Sequence, residues 1–299
     1  MKQSHEVINP HESAVLFNEH PHETQFSVYH KKVNGEDWEE ATDEKTASYL
    51  LAPGIIKLAE AKIGAKVIRG KEDFHVSDFL GSTTVSRVSE GEYVNCLLIP
   101  KAVSYFYFKD NWKDEQPPLH VMIECQHKME LFDAQACLLA VLVDSHNLKL
   151  IQVLRSRRIG QAIRQQAAEF MQMVDNRQEP NPNYIKDVGT LKKLNADADE
   201  NKTINLSDDE EVPIHLENWV AWDKEIKRLK GLKESAKQVI FSKAGTASHI
   251  EAGNFFVNTG MIADSPPKYV TITEEMVGTK VKTSNGRKGY RAFKITEDK

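Results

Sequence analysis

The segment from Pro117 to Val174 constrains the fold of this chain more than any other, because four regular elements follow one another within it. After a pair of prolines, apolar residues recur at helical spacing between Val121 and Phe132, which predicts a largely buried helix. The run Ala136–Val143 is apolar throughout, a pattern typical of a strand covered on both faces. A short polar turn then leads into a second strand at residues 149–154.

A second helix ends the segment. Its apolar residues recur at three- and four-residue spacing and therefore share one face: Ile159, Ile163, Ala167, Phe170 and Val174. A helix, two strands and a helix in this order predict an α/β core, in which a sheet is covered by helices.

The first helix of the segment also carries a family resemblance. Gln126 and His127 are followed by Met129, and Glu124 stands two residues before Gln126. This helix, with the order of elements around it, resembles the YqaJ-like viral recombinase nucleases, relatives of λ exonuclease within the PD-(D/E)xK superfamily. In that family a glutamine usually occupies the position of Glu124. The resemblance implies a restriction-endonuclease-like core, a mixed sheet flanked by helices, with a helical and β-rich C-terminal extension.

The region before the segment predicts further elements of this core. Thr24 fits the N-cap of a helix that resembles the opening helix of the family. Residues 46–63 are predicted as a second helix, and residues 74–88 and 93–103 as two strands of a hairpin. Pro100 in the second strand predicts a bulge or a sheet edge, since proline cannot donate to a central ladder.

The composition of the chain predicts three regions. Residues 1–175 are expected to form the nuclease-like core that the resemblance implies, although residues 1–12 are polar and irregular and predict a loosely held start. Residues 176–214 are rich in Asn, Asp, Glu and Pro and predict a polar linker. Residues 215–299 predict a charged amphipathic helix followed by a small β-rich unit.

The family resemblance implies a nuclease site that has lost its acids. Related nucleases hold Mg²⁺ with carboxylates, and the metal activates a water for attack on the phosphate. When the family motifs are placed on this chain, the three acidic positions fall on Ala52, Ser86 and Ile99. The motif lysine and the helix glutamine remain, as Lys101 and Gln126. We therefore expect remnants of a catalytic site, no metal ligands and no cofactor.

A rearranged site is the alternative interpretation. Acidic residues near the missing positions could replace the lost ligands: Asp73, Asp78, Glu90, Glu92 and Glu124. Glu124 is the foremost candidate, one helical turn before Lys128 on the helix expected to line the cleft. The favoured interpretation of Glu124 is nevertheless a solvent-facing or ion-paired glutamate. If such a site exists, the protein is an active Mg²⁺-dependent DNA exonuclease.

Basic side chains provide candidate DNA contacts. Five arginines lie where the family would face the phosphates: Arg87, Arg155, Arg157, Arg158 and Arg164. The last four could also cap and solvate an amphipathic helix. The formal net charge of −5 gives no general attraction to nucleic acid, so DNA binding would depend on local basic patches.

Other sequence signals are weak. The three cysteines lack metal-ligand spacing and are expected to be buried, reduced thiols: Cys96, Cys125 and Cys137. His20 and His22 lie close in sequence, but no ligand spacing on one element supports a metal site.

These observations favour a catalytically inactive homologue of a phage-type exonuclease that acts by binding. Its target would be DNA, a recombination partner, or a host nuclease or defence complex. A module that binds only protein is a third alternative. We expect no membrane contact, because the longest apolar run is far shorter than the roughly 20 residues of a transmembrane helix. The resemblance further implies a phage or prophage origin, the cytoplasm of a bacterial host, and self-assembly into an oligomer.

Overall fold

A computed structural model of the chain describes residues 4–35, 43–69, 74–83, 85–195 and 204–263, together with short strands at 269–271, 280–282, 290–291 and 294–297. The chain divides into two compact units, Met1–Ala198 and Asp199–Lys299.

The first unit contains the mixed sheet and its helices. The helices are α1 (Gln25–Asn34), α2 (Asp43–Ile63), α3 (Tyr105–Asn111), α4 (Leu119–Leu131), α5 (Arg157–Asp175) and α6 (Val188–Leu194). The strands are β1 (Val67–Ile68), β2 (Phe74–Ser77), β3 (Leu80–Thr83), β4 (Ser86–Val88), β5 (Leu97–Val103), β6 (Ala136–Val143) and β7 (Asn147–Leu154). Five strands form one sheet in the order β1-β4-β5-β6-β7, in which β5 and β6 are parallel and the other pairs antiparallel. The predicted fold class, a mixed sheet flanked by helices, is confirmed.

The two faces of the sheet are covered by different helices. Along β5, Leu98 packs with Ile55 of α2, whereas Leu97 and Ile99 pack on the other face with Cys125 of α4. Every residue of β6 is buried, as its unbroken apolar run predicts. Because successive side chains of a strand point to opposite faces, the register of β5 decides which residues can meet α4.

Helix α4 is buried on more than one side. Cys125 faces the sheet, and Ile123 packs with residues of α1 and α5. Three polar residues of the same helix are buried as well: Glu124, Gln126 and His127. Burial of a polar group is costly unless it is hydrogen-bonded or ion-paired, so the partners of these three side chains determine what α4 does.

The stretch from Phe74 to Val88 is broken into three strands, so the prediction of a single strand was wrong. β2 and β3 form a hairpin of their own, and Asp78 in its turn has a φ of 55°. A short polar residue tolerates this left-handed conformation better than a branched one. β4 then begins anew and pairs with β1 and β5.

The start of the chain is part of the core, so the prediction of a loose segment over residues 1–12 was wrong where the structure describes them. Val7 and Ile8 are fully buried. The Ile8 N–H donates to the Phe79 carbonyl at 2.8 Å, and its carbonyl accepts from Gly81 N–H at 3.0 Å. A Cβ at Gly81 would lie 2.5 Å from Val7 Cγ2, so this close approach needs glycine.

Pro100 lies at a local edge of the sheet, as predicted. Strand β4 pairs with β5 at Leu97 and Leu98, whereas β6 runs beside β5 along its whole length and places Ala140 opposite Pro100. Within the described residues, no strand therefore pairs with β5 beside Pro100 on the edge opposite to β6. No ladder hydrogen bond on that edge requires the N–H that proline lacks.

The second unit contains a long helix and short strands. Helix α7 spans Val212–Ala244, which confirms the predicted charged helix and extends it at its N-terminal end. The strands are β8 (His249–Ala252), β9 (Phe255–Asn258), β10 (Met261–Ile262), β11 (Tyr269–Thr271), β12 (Lys280–Lys282), β13 (Tyr290–Arg291) and β14 (Lys294–Glu297). They pair in the orders β14-β9-β8, β10-β13 and β11-β12.

Because His127 is buried, the stability of the protein should depend on pH. Its side chain is wholly buried, and Nδ1 lies 2.6 Å from Ser13 Oγ. Burial lowers the pKa of this imidazole to about 3, against roughly 6.5 in an unfolded chain. Between these values the unfolded state binds more protons than the folded state. The free energy of unfolding should therefore fall as the pH drops from about 6.5 towards about 3.

The variant His127→Gln should flatten this part of the pH profile, because an amide does not titrate and can still bond to the Ser13 hydroxyl. Urea unfolding at several pH values between neutral and about 4 measures the effect. The exposed His249 provides the matched control, since His249→Gln should leave the slope unchanged. An equally steep profile in the His127 variant would contradict the assignment.

Candidate functional site

Lys101, Glu124 and Lys128 form a partly buried ion cluster, here called the Lys–Glu–Lys cluster. Lys101 lies two residues after Ile99 on β5 and therefore faces α4. Its Nζ is 2.5 Å from Glu124 Oε2, and Lys128 Nζ is 2.9 Å from Oε1 of the same carboxylate. Glu124 and Lys128 are four residues apart on α4, a spacing that brings side chains together on a helix.

Both lysines determine the protonation of Glu124. Burial by itself raises the pKa of the Glu124 carboxyl, but the ammonium groups of Lys101 and Lys128 lower it by more, so the net pKa lies below its usual range. Burial lowers the pKa of Lys101, and Glu124 raises it by more, so this pKa is raised. Glu124 is therefore ionised and Lys101 is protonated at neutral pH, and with the formal charge of Lys128 the cluster has a net charge of one positive unit.

Histidine side chains lie beside the cluster. Burial lowers the pKa of His120, and the charge of Lys101 lowers it further although Glu124 opposes this. His120 Nε2 is 3.2 Å from the Tyr107 hydroxyl, and its ring centroid is 6.3 Å from that of His20. Burial lowers the pKa of His20 to about 4. Both histidines are thus neutral at pH 7, and the lysines supply the positive charge.

Gln126 joins two other elements. Its Nε2 donates to the Leu154 carbonyl at 2.8 Å, and its Oε1 accepts from the Ser156 N–H at 2.7 Å. Leu154 ends β7, and Ser156 is the N-cap residue of α5. The amide therefore fixes the junction between that strand and that helix, and its hydrogen bonds do not lead to Lys101.

The family motifs place the three lost acids at Ala52, Ser86 and Ile99, and the structure does not bring these three positions together. Ser86 pairs with Leu98 and stands two residues before Val88, so it lies on the sheet face that α2 covers. Ala52 belongs to α2 itself. Ile99 lies on the opposite face with Lys101 and is buried against α4. Ala52 and Ser86 thus lie on one side of the sheet, and Ile99 and Lys101 on the other.

Three of the other acidic residues proposed as substitute ligands are described by the structure, and none of these three joins Glu124. Asp78 Oδ2 accepts from Arg164 Nη1 at 3.0 Å, in the β2–β3 turn. Glu90 Oε1 accepts from the Lys66 N–H at 3.1 Å. Glu92 is exposed in the same turn region as Glu90, and Asp73 lies outside the described residues.

Three of the five candidate DNA-contacting arginines bond within the protein. Arg155 pairs with Glu130 at 2.7 Å and with Asp133 at 2.5 Å, and Arg164 pairs with the other oxygen of Glu130 at 2.7 Å. Arg87 donates to the carbonyls of Asn95 and Phe132 at 3.1 and 3.2 Å. These three side chains tie β4, α4 and α5 together.

Arg157 and Arg158 are the two candidate arginines that remain at the surface. Both are exposed in the first turn of α5. Arg158 borders an open groove of about 610 Å³, whose apolar wall includes Leu119 of α4 and Ile159 of α5. Arg158 shares the lining of this groove with the acidic Glu19. Both arginines stand in the first turn of α5, and the N-terminal end of a helix favours an anion.

No group of three or more His, Cys, Asp or Glu side chains suited to a metal ion occurs in the part of the chain that the structure describes. His20 and His22 lie with ring centroids 6.4 Å apart. The three cysteines are buried and unpaired, as predicted. The arrangement at α4 can thus bind or position an anion, and the described side chains assemble no carboxylate cage for Mg²⁺.

Sequence reasoning missed two buried polar contacts. Glu12 pairs with Lys32 inside the first unit, and Ser13 bonds His127 across 114 residues of sequence. Neither Lys32 on α1 nor Glu12 in the polar N-terminal stretch gave a local sign of this contact. The available signal was His127, a polar residue on a helix predicted to be largely buried. A buried polar side chain requires a hydrogen-bond partner.

The fold and the site together define a mixed α/β protein in which the carboxylate of Glu124 is ion-paired beside the sheet. No protein-family model and no curated protein matches the chain. Solved structures that resemble it include an alkaline exonuclease, LHK-Exo, from Laribacter hongkongensis, at 13% identity and a TM-score of 0.46, covering 64% of this chain and 94% of that chain.

Two more solved structures show the same range of similarity. LHK-Exo in complex with dAMP has 13% identity and a TM-score of 0.47, with the same coverage. SSO0001 has 9% identity and a TM-score of 0.37, and the match covers 58% of this chain and 78% of that chain. In the described residues, no helix is long and apolar enough to cross a lipid bilayer.

Proposed function

We propose that this protein is an inactive relative of the YqaJ-like nucleases that binds DNA and does not cut it. The observation that carries the proposal is the state of Glu124, whose two carboxylate oxygens both bind lysine ammonium groups. A Mg²⁺ ion would have to displace a lysine from each oxygen and then find further oxygen ligands. Ile99, at the position of a family glutamate, is buried among apolar side chains and offers none.

The same residues favour binding of phosphate. The Lys–Glu–Lys cluster has a net positive charge, and Arg157 and Arg158 are exposed at the start of α5. Cations that contact DNA phosphates release counterions, which gives affinity without base recognition. The task in a phage-infected bacterial cytoplasm would be to hold DNA, to support a recombination partner, or to block a host nuclease or defence complex.

Binding of a labelled linear DNA duplex, followed by fluorescence anisotropy without divalent metal, tests the proposal. The double variant Arg157→Gln/Arg158→Gln should weaken binding by about tenfold at moderate salt, and it should reduce the slope of log affinity against log salt by roughly two. The matched control is Lys192→Gln/Lys193→Gln, which removes the same charge from α6. Equal weakening by both pairs would show a general charge effect and would contradict the assigned surface.

Incubation of linear duplex DNA with Mg²⁺ or Mn²⁺ tests the absence of cleavage. The expected result is intact DNA even at high protein concentration. Digestion that disappears in Glu124→Gln would instead establish the alternative, an active exonuclease with Glu124 as a relocated ligand.

A protein-only module is the second candidate, and a specific observation favours it. Arg87, Arg155 and Arg164 are held by intramolecular bonds, and the formal net charge of the chain is −5. If the wild-type protein retains no DNA even at low salt, this candidate replaces the first.

A further inference from the structure

Helix α7 presents an apolar stripe that no described residue of the second unit buries. No described residue of this 33-residue helix is buried. Trp219 and Trp222 are 65% and 61% exposed, and Ile226 and Leu229 are each 49% exposed. These four side chains follow each other at spacings of three, four and three residues, the a and d positions of a heptad, and therefore form one seam along the helix.

We propose that α7 pairs with α7 of a second copy of this chain as an antiparallel two-stranded coiled coil. This pairing goes beyond the proposed function and does not depend on it. Continued by heptads, the seam places Lys233 at an a position and Ala236 at a d position. A parallel pair would put Lys233 against itself, whereas an antiparallel pair avoids this repulsion.

The antiparallel register is complementary in shape and charge. With Ile226 facing Leu229 of the partner subunit, Trp219 faces Ala236 of the partner subunit, a large side chain against a small one. Lys233 then faces Trp222 of the partner subunit, an arrangement that suits a cation–π contact.

The flanks of the seam agree with the same register. Asp223 and Lys230 occupy e positions, and e positions face each other in an antiparallel pair. Asp223 would thus meet Lys230 of the partner subunit, twice because of the two-fold symmetry. In the isolated chain Asp223 bonds Lys227 on the adjoining side of the helix, at 2.8 Å.

The seam is large enough for a stable contact. Two tryptophans, two branched aliphatic side chains and the stems of the flanking residues offer on the order of 700 Å² per copy, close to the roughly 800 Å² per partner of a typical stable interface. Tryptophan is also enriched among residues that dominate binding energy.

The full chain tests the proposal by sedimentation equilibrium. The expected mass is that of a dimer of the 33.9 kDa chain. Ile226→Lys/Leu229→Lys should raise the dimer dissociation constant by about a hundredfold or more. The control Val220→Lys changes an exposed apolar residue on the opposite side of α7 and should leave the dimer intact. A monomeric or trimeric wild type would overturn the proposal, as would equal dissociation by the control.

A charge exchange tests the orientation. Asp223→Lys and Lys230→Asp should each weaken the dimer by about fivefold, and the double variant should restore it, because the two positions face each other only in the antiparallel register. Circular dichroism checks that helicity is unchanged.

A cysteine at position 233 tests the orientation independently: Lys233→Cys should not form a disulfide across the dimer under oxidation. Rapid cross-linking at that position would show a parallel pair and would overturn the antiparallel assignment.

Discussion

Replacing Glu12 by alanine should lower the free energy of unfolding by about 3–5 kcal/mol, the usual cost of removing one partner from a buried ion pair. Glu12 Oε2 lies 2.5 Å from Lys32 Nζ, and the two side chains are only 4% and 2% exposed. The same oxygen accepts from the Asn9 backbone N–H at 2.8 Å and from Asn9 Nδ2 at 3.1 Å. Alanine would remove the carboxylate from a buried ammonium group and from both amides.

Urea unfolding followed by circular dichroism measures this loss. Replacing both partners, as Glu12→Leu/Lys32→Met, should cost much less, because a well-packed apolar pair leaves no charge in the interior. The exposed Glu169 serves as the control, and Glu169→Ala should stay within about 0.5 kcal/mol of wild type. A Glu12→Ala protein as stable as this control would show that the buried pair does not hold the N-terminal segment in place.

Replacing Glu124 by alanine should cost about 3 kcal/mol for the same reason. The side chains of Lys101 and Lys128 are 29% and 17% exposed. Without the carboxylate, two ammonium groups between β5 and α4 would repel each other in a partly buried site. Glu124→Gln should cost less, since the amide keeps the shape of the side chain and its oxygen can still accept a hydrogen bond.

The two Glu124 variants also distinguish structure from function. Glu124→Gln removes one negative charge beside the exposed part of Lys101, so DNA affinity should rise by a few-fold at low salt. The pKa of Glu124 is lowered in the folded state. Its contribution to stability is therefore present above the usual carboxyl pKa of about 4.3 and is lost as the pH falls below it. A Glu124→Gln protein with unchanged acid sensitivity would contradict this assignment.

The secondary structure of the central segment could be predicted almost completely. Helix α4, strand β6 and helix α5 lie where their apolar periodicities place them. Such patterns are local, and within a helix or strand they report directly which face is buried. The break at Asp78 escaped prediction because a single polar residue in a left-handed conformation reverses the chain without disturbing the pattern on either side.

The candidate site was predictable only in part. Lys101 and Glu124 were both singled out from the sequence, and the structure joins them. Gln126 was singled out by the family resemblance as a remnant of the site, and its amide bonds Leu154 and Ser156, contacts that no local pattern predicts. On a helix, residues two apart point in different directions, so Glu124 and Gln126 necessarily serve different neighbours.

The sequence by itself determined the helix–strand–strand–helix order of residues 117–174, the burial of β6 on both faces and the amphipathic helix α7, because each depends on residues close together in the chain. Tertiary structure alone decided that Ser86 and Ile99 lie on opposite faces of the sheet. It also decided that Glu12 meets Lys32 in the interior. The physical reason is that strand register and the pairing of buried charges join distant residues. A shift of one residue moves a side chain to the other face.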